Sequence, residues 1–265
     1  MKIRSGGVGR GFGLGFGLGL GRPVALVFAL PALLVGAVAV VVVSGAPVGA
    51  SSASASSSAK VKAEEAQAKS ELLVKSDFPS GWTGQGSVST DDKNGGAPNF
   101  PGGQQLVSCI GIPQSLLAVS TPEAVSPTFQ TNGGEVSAQD TVDIAPSVKL
   151  AAEANALLAS SKVPGCLTTA FQGPARQSIV NSAGNGVTIG NIAVAAANPD
   201  LLIRHVTGFT VSFPATSQGV TLNVQIDLIS VPHGKTNSQL TLTSVSHSFS
   251  PSLAKHLETV AYGRT

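Results

Sequence analysis

The side chains of this protein that could do chemistry are few, and their spacing matches no catalytic motif. All four histidines fall in the last third of the sequence, at His205, His233, His247 and His256. They lack the H-x-x-x-H spacing, or the cysteine cluster, that protein metal sites use. No G-x-S-x-G or Walker A sequence occurs, so neither motif's nucleophile or phosphate cradle is indicated. We therefore expect no metal, no cofactor and no enzyme activity.

Three residues are the best candidates for contacting a ligand: Trp82, Asp140 and His205. Asp140 is expected on a strand face that it shares with the apolar residues Val136, Ala138, Val142 and Ile144. We favour a bulge or edge position that lets Asp140 reach water; the alternative is a buried functional carboxylate. In the alternation of the predicted strand 201–213, His205 falls on the same face as the apolar residues. Trp82 ends the turn SDFPSGW, and this turn should pack Phe78 and Trp82 against the domain.

The two cysteines, Cys109 and Cys166, are expected to form a disulfide. An isolated pair in an exported domain is most often structural. Neither cysteine lies in a C-x-x-C motif or beside a cationic residue, as a redox-active or catalytic thiol would. Because the bond would join residues 57 positions apart, it would stabilise the fold by about 4 kcal/mol in the chain-entropy model.

The compartment depends on the stretch 23–43, which carries no charge and almost no polar residue. It meets the roughly 20 residues that a helix needs to span a bilayer. Four basic residues precede it, and no acid occurs before Glu64, so the rest of the chain should lie outside the cytoplasm. The alternative is a signal peptide that is cleaved among the small residues that follow. The protein is then either a single-pass membrane protein or a secreted one.

Composition divides the chain into four parts: a basic, Gly-rich cytoplasmic tail (1–22), the membrane or signal segment (23–43), a Ser/Ala-rich linker (44–65) and one extracytoplasmic domain (66–265). The last part is long enough for a hydrophobic core. Twelve basic and fourteen acidic residues follow position 50. This balance near −2 argues against a nucleic-acid partner, which would need clustered Lys and Arg.

The patterning after residue 60 predicts an α+β domain, in which an antiparallel sheet is packed by helices. Alternating apolar residues predict three strands in 201–213, 220–228 and 240–249, and Asn132-Gly133 predicts a hairpin between 128 and 144. Helices are expected at 60–74, at 148–160 after Ser147, and from Pro251 after Ser250. We also expect strands at 106–112 and 187–197, a mobile loop at 84–104, and a helix stop at Pro164-Gly165.

The order of these features resembles the extracytoplasmic domains of actinobacterial proteins with a PsbP-like fold. The shared layout is an SDFPSGW-type turn after a helix, an early cysteine, a hairpin, a cysteine-terminated helix, three long strands and a final helix ending in AYGR. Such domains include the sensor domain of mycobacterial membrane Ser/Thr kinases and related secreted or lipid-anchored proteins. The resemblance covers about 66–265 and implies binding of a ligand or partner. Some of those sensor domains carry a second disulfide, and this chain has neither that bond nor a kinase domain.

The function that these observations favour is a non-catalytic, sensor-like or binding domain of the cell envelope. Its ligand would be a small apolar molecule or an envelope protein, bound on the concave face of the sheet near Trp82 and the 84–104 loop. Two alternatives remain. One is an envelope hydrolase that uses scattered Asp and His residues, and the other is a purely structural interaction module with a broad apolar patch.

Overall fold

The computed structural model describes residues 54–93, 102–117, 121–183, 186–197 and 206–265. The predicted membrane or signal segment at 23–43 and the candidate His205 lie outside these residues. Within them, no helix combines the length and the apolar character needed to cross a membrane.

The described residues form a ten-stranded sheet in which every paired strand is antiparallel. The strands are β1 (Thr83–Gln85), β2 (Ser89–Lys93), β3 (Thr121–Val125), β4 (Thr128–Thr131), β5 (Val136–Ile144), β6 (Val187–Ile189), β7 (Ala193–Ala196), β8 (Thr207–Ser217), β9 (Val220–His233) and β10 (Thr236–Val245). The long strands run in the order β5, β10, β9, β8. Short strands pair with both outer members: β3 and β4 with β5, and β6 and β7 with β8.

The helices lie on the two faces of this sheet. They are α1 (Ser54–Glu71), α2 (Gly103–Ile110), α3 (Gln114–Leu117), α4 (Val148–Leu158), α5 (Val163–Ala170), α6 (Arg176–Ala183) and α7 (Pro251–Arg264). A 3₁₀ turn, Lys75–Asp77, follows α1. The α+β class predicted from the sequence is thereby confirmed.

Strand β9 shows how the alternation builds two cores. Val224, Ile226 and Leu228 contribute to the core that contains α2, α5 and α6. Ile229 and Val231 contribute to a second core that contains the Trp82 turn and α7. Successive side chains of a strand point to opposite faces, so a strand with apolar residues of both parities is covered on both sides. A smaller cluster beneath α1 joins Ala68 and Leu72 to apolar residues of β3 and β5.

The predicted meander and hairpin are confirmed. β8, β9 and β10 pair in sequence, and β9 turns into β10 at Gly234, whose φ of 60° is left-handed. The β4–β5 hairpin turns through Asn132, Gly133 and Gly134, all with positive φ. The predicted caps are present too: the Oγ atoms of Ser147 and Ser250 accept hydrogen bonds from the third residue beyond each, Leu150 and Leu253.

The predicted disulfide is present between Cys109 and Cys166, with a Cα–Cα distance of 5.6 Å. It joins two helices, because the segment 106–112 predicted as a strand belongs mainly to α2. Leu106, Val107 and Ile110 are buried at helical spacing. Pro164 begins α5 instead of ending a helix, because proline fits the first turn, where its missing N–H has no partner to lose.

Three other boundaries differ from the predictions. The first helix begins at Ser54 and ends at Glu71. Two strands, β1 and β2, occupy part of the predicted loop at 84–104, and α2 begins within its end. The predicted strand at 187–197 is divided into β6 and β7. Gly190 stands at this break, and a Cβ there would lie 2.5 Å from Cγ of Pro214.

Candidate functional site

Four aromatic side chains cluster at the candidate site, and three of them, Phe78, Trp82 and Phe249, line its floor. The ring of Phe78 lies 4.9 Å from that of Trp82 and stacks at 4.4 Å on Phe129 of β4. Trp82 meets Phe249 edge-on, with 6.1 Å between ring centroids. All four are buried, as the sequence predicts for Phe78 and Trp82. Such pairs stabilise by about 0.5–1.5 kcal/mol beyond the area that they bury.

The turn after α1 places two of these rings. Phe78 follows the 3₁₀ turn, and its backbone N–H donates to the carbonyl of Lys75. Gly81 then takes a φ of 90°, and the residue after it, Trp82, packs against Phe78 and Phe249. A residue with a side chain would be strained at this φ.

A groove of about 720 Å³ opens above these rings. This volume lies within the roughly 300–1,000 Å³ of small-molecule sites. One wall is the segment 76–82, and the other is the connection from β10 to α7 with the first turns of α7. The lining residues are Ser76, Asp77, Phe78, Pro79, Trp82, Thr131, Asn132, Val136, His247, Ser248, Phe249, Ser250, Ser252, Leu253 and His256. Trp82 is among the lining residues, and the opposite wall comes from the C-terminal part of the chain instead of the predicted 84–104 loop.

The rim of the groove is polar and exposed. His247 and His256 stand on the β10–α7 side, together with the hydroxyl groups of Ser250 and Ser252. Asp77 is the only carboxylate among the lining residues, and Arg264 pairs with it through two hydrogen bonds of 2.7 Å. The groove thus combines an apolar floor with imidazole and hydroxyl groups, which can hydrogen-bond to a ligand.

Asp140 is fully buried, and the predicted edge or bulge position that would let it reach water is wrong. It lies in β5 between β10 on one side and the β3–β4 segment on the other. Its Oδ1 accepts a hydrogen bond of 2.7 Å from Ser238 Oγ, and its Oδ2 accepts one of 3.1 Å from the backbone N–H of Leu73. Burial raises the pKa of Asp140 to about 6, although these hydrogen bonds and the charge of Arg264 act in the opposite direction.

The local backbone accommodates this carboxylate. Between β3 and β4 the pairing with β5 is interrupted at Ser126, where the hydroxyl accepts the N–H of Asp140 at 2.9 Å. The N–H of Ser126 donates to the carbonyl of Asp140 at 2.9 Å. Both backbone groups of Asp140 and both carboxylate oxygens therefore have partners, as a buried polar residue requires.

Arg264, near the C-terminal end of α7, connects this region to the groove. Besides its two bonds to Asp77, it donates a hydrogen bond of 2.8 Å to the carbonyl of Leu72. Asp77 Oδ2 also accepts the N–H of Val74. The end of α1, the groove wall and the C-terminal helix thus share one set of hydrogen bonds.

Two further cavities are less suited to a ligand. The space between α2, α5 and the sheet, lined by residues such as Leu106, Val163 and Leu228, encloses about 30 Å³, which is the room of about one water molecule. An open cleft of about 480 Å³ lies on the other side of Phe249. Its Asp227 is engaged by the hydroxyl of Thr210 at 2.6 Å and by Gln225.

The structure separates the sequence-predicted site residues. Trp82 lines the groove, Asp140 lies behind it in the sheet, and His205 lies outside the described residues. The sequence did not single out His256, Asp77 or Arg264 as site residues, although the last two stand in the SDFPSGW and AYGR stretches. In the described part of the chain, no three His, Cys, Asp or Glu residues are grouped so that they could hold a metal ion.

No protein-family model and no curated protein sequence matches this chain. Among solved structures, the chain is similar to the extracellular domain of PknH from Mycobacterium tuberculosis, with 10% sequence identity and a TM-score of 0.41. The superposition covers 76% of this chain and 95% of that one. A mycobacterial extracellular domain is thus among the chain's structural neighbours, and the family membership that the sequence resemblance implies stays a prediction. A similarity this distant carries no argument about ligand or activity.

Proposed function

We propose that this protein is a non-catalytic, extracytoplasmic binding domain whose ligand occupies the groove above Trp82. The observation that carries the proposal is the groove itself, which joins a floor of aromatic rings to an exposed rim of imidazole and hydroxyl groups. The ligand is a small molecule with an apolar part that packs toward Phe249 and Leu253 and with acceptor or hydroxyl groups that reach the rim.

Two features of the chain support the compartment. The Cys109–Cys166 bond is of a kind that persists in oxidising compartments and is rare in the cytosol. The uncharged stretch 23–43 follows four basic residues, as an anchor or an export signal does. The domain is either tethered to the membrane through this stretch or released from it.

The two alternative functions find less support. A hydrolase needs a carboxylate that is free to act on a substrate. Asp140 is buried and bonded to Leu73 and Ser238. In the groove, Asp77 is engaged by Arg264, and in the open cleft Asp227 is engaged by Thr210 and Gln225. A structural interaction module would present a broad apolar patch. The large apolar residues that are exposed in the described part of the chain stand on separate segments, at Val74, Val88, Val148, Val220 and Tyr262.

The proposal is tested by native mass spectrometry of the protein recovered from its own envelope fraction. We expect a stoichiometric small-molecule adduct on the wild-type chain. Ser252→Phe, which places a ring on the groove rim, should lose the adduct. Thr259→Phe is the matched control, because Thr259 is exposed on the same helix but does not line the groove. An adduct that survives in both variants, or a wild-type chain that carries none, contradicts the proposal.

A further inference from the structure

The C-terminal end of α1 is fixed to the rest of the domain by a small set of polar contacts. Leu73 donates its N–H to Asp140 of β5, and Leu72 accepts a hydrogen bond from Arg264 of α7. Arg264 also forms the two-bond ion pair with Asp77. We call these five residues, Leu72, Leu73, Asp77, Asp140 and Arg264, the docking network.

Apolar contacts hold the same region. Ala68 of α1 and the two residues just after its end, Leu72 and Leu73, are each at most 1% exposed, and α1 packs against β3, β5 and α7. Farther from this end, Glu64 pairs with Lys235 of the β9–β10 turn at 3.1 Å. Removing the polar contacts would therefore loosen the end of α1 first, while the remaining contacts keep the helix near the sheet.

Asp77 belongs to the docking network and to the groove at once. It lines the groove, it accepts the N–H of Val74, and it is followed directly by Phe78, whose ring contacts Trp82. Of the six residues from Asp77 to Trp82, Asp77 bonds to Arg264, and Phe78 and Trp82 belong to the aromatic floor. The position of this wall therefore depends on whether Arg264 holds Asp77.

We propose that the docking of α1 and the shape of the ligand groove are coupled through the docking network. This inference rests on the proposed function, because the coupling regulates binding only if the groove receives a ligand. When the network is formed, the 76–82 wall is held in the geometry that receives the ligand. By thermodynamic reciprocity, a ligand that prefers this geometry strengthens the docking of α1. Because α1 lies between the stretch 23–43 and the rest of the domain in the sequence, the coupling would link occupancy of the groove to the docking of this helix.

The test needs no ligand, because Trp82 is the single tryptophan of the chain and reports the groove directly. Arg264→Lys keeps the positive charge but removes the two-bond geometry with Asp77. We expect exchange of the Leu73 amide to become about tenfold faster, and acrylamide quenching of Trp82 to increase about twofold. Amide exchange in the centre of β9 should not change, which shows that the variant is still folded.

A matched pair of serine variants provides a second, independent test of the coupling. Ser238→Ala removes the donor to Asp140, whereas Ser230→Ala removes a hydroxyl that donates to Asn237; both bonds measure 2.7 Å and belong to neighbouring strands. We expect Trp82 quenching to rise in Ser238→Ala and to stay at the wild-type value in Ser230→Ala. If exchange at Leu73 accelerates in Arg264→Lys or Ser238→Ala while Trp82 quenching stays unchanged, the coupling is refuted. That result leaves the ligand adduct of the preceding section untouched, so the two proposals fail separately.

Discussion

At the scale of single residues, the protonation of the buried carboxyl group of Asp140 affects the stability of the fold. Its folded-state pKa of about 6 lies above its ordinary value of 3.8, because burial disfavours the charged form. The native state therefore keeps the proton through a pH range in which the unfolded chain has released it. This contribution to stability is fully present below about pH 4 and is lost as the pH rises through 6. Burial also raises the pKa of Glu71, at the end of α1.

The first prediction concerns Asp140→Asn. The amide cannot ionise but can keep an acceptor toward Leu73, so the variant should unfold at pH 7.5 with a free energy equal to or above that of wild type. The stability that wild type gains between pH 7.5 and pH 4.5 should shrink in the variant by about 1–3 kcal/mol. Urea unfolding of both chains at both pH values measures it. Comparing the two chains cancels the titration of distant groups, while the charges of Arg264 and Asp77, which act on Asp140, are present in both. An unchanged pH dependence would show that Asp140 is not the titrating group.

At the scale of elements, the break between β6 and β7 depends on a residue without a side chain. The Cβ of any larger residue at position 190 would lie 2.5 Å from Pro214 Cγ, and Pro214 is held in β8. Gly190→Ala should therefore destabilise the domain by about 1–3 kcal/mol. Gly165→Ala is the control, since a Cβ in α5 meets nothing within 4 Å and alanine favours a helix by about 1 kcal/mol. Urea unfolding that ranks Gly165→Ala below Gly190→Ala in stability would overturn this explanation.

The Cys109–Cys166 disulfide stabilises the helix layer on the sheet. It joins α2 to α5, and both helices lie over β8 and β9 in the larger core. Cys109→Ser and Cys166→Ser should each lower the free energy of unfolding by about 4 kcal/mol. The double variant should resemble either single one, because all three lack the same bond. Unfolding measured with and without reductant checks this: wild type should respond to reductant, and the variants should not.

The accuracy of the sequence predictions depends on how local their physical basis is. The strands β8 to β10 and the caps of α4 and α7 were predictable because alternation, Ser147 and Ser250 act within a few residues. The segment of α2 is short and apolar, so its pattern suits a strand as well as a helix. The partners of Asp140 lie 67 and 98 residues away in the chain. No local pattern contains them, and the burial of this residue was therefore predicted wrongly.

At the scale of the whole molecule, the candidate groove and the end of α1 lie side by side, since Asp77 contributes to both. The sheet supports both, with β5 and β10 providing Asp140 and Ser238, and α7 providing Arg264 at one end and the groove rim at the other. If the stretch 23–43 anchors the protein, α1 is the first described element that follows the anchor in the sequence. If it is cleaved, the proposed binding domain is secreted.

The measurement that tests the groove most directly uses the fluorescence of Trp82. Compounds released by denaturing the envelope-purified protein are separated and added back to refolded, ligand-free chain with its disulfide intact. The account predicts a saturable change in Trp82 emission for one compound, with a weakened response in Ser252→Phe and a normal one in Thr259→Phe. If no released compound changes the emission of Trp82, or if Ser252→Phe responds as wild type does, the ligand does not bind in the groove above Trp82.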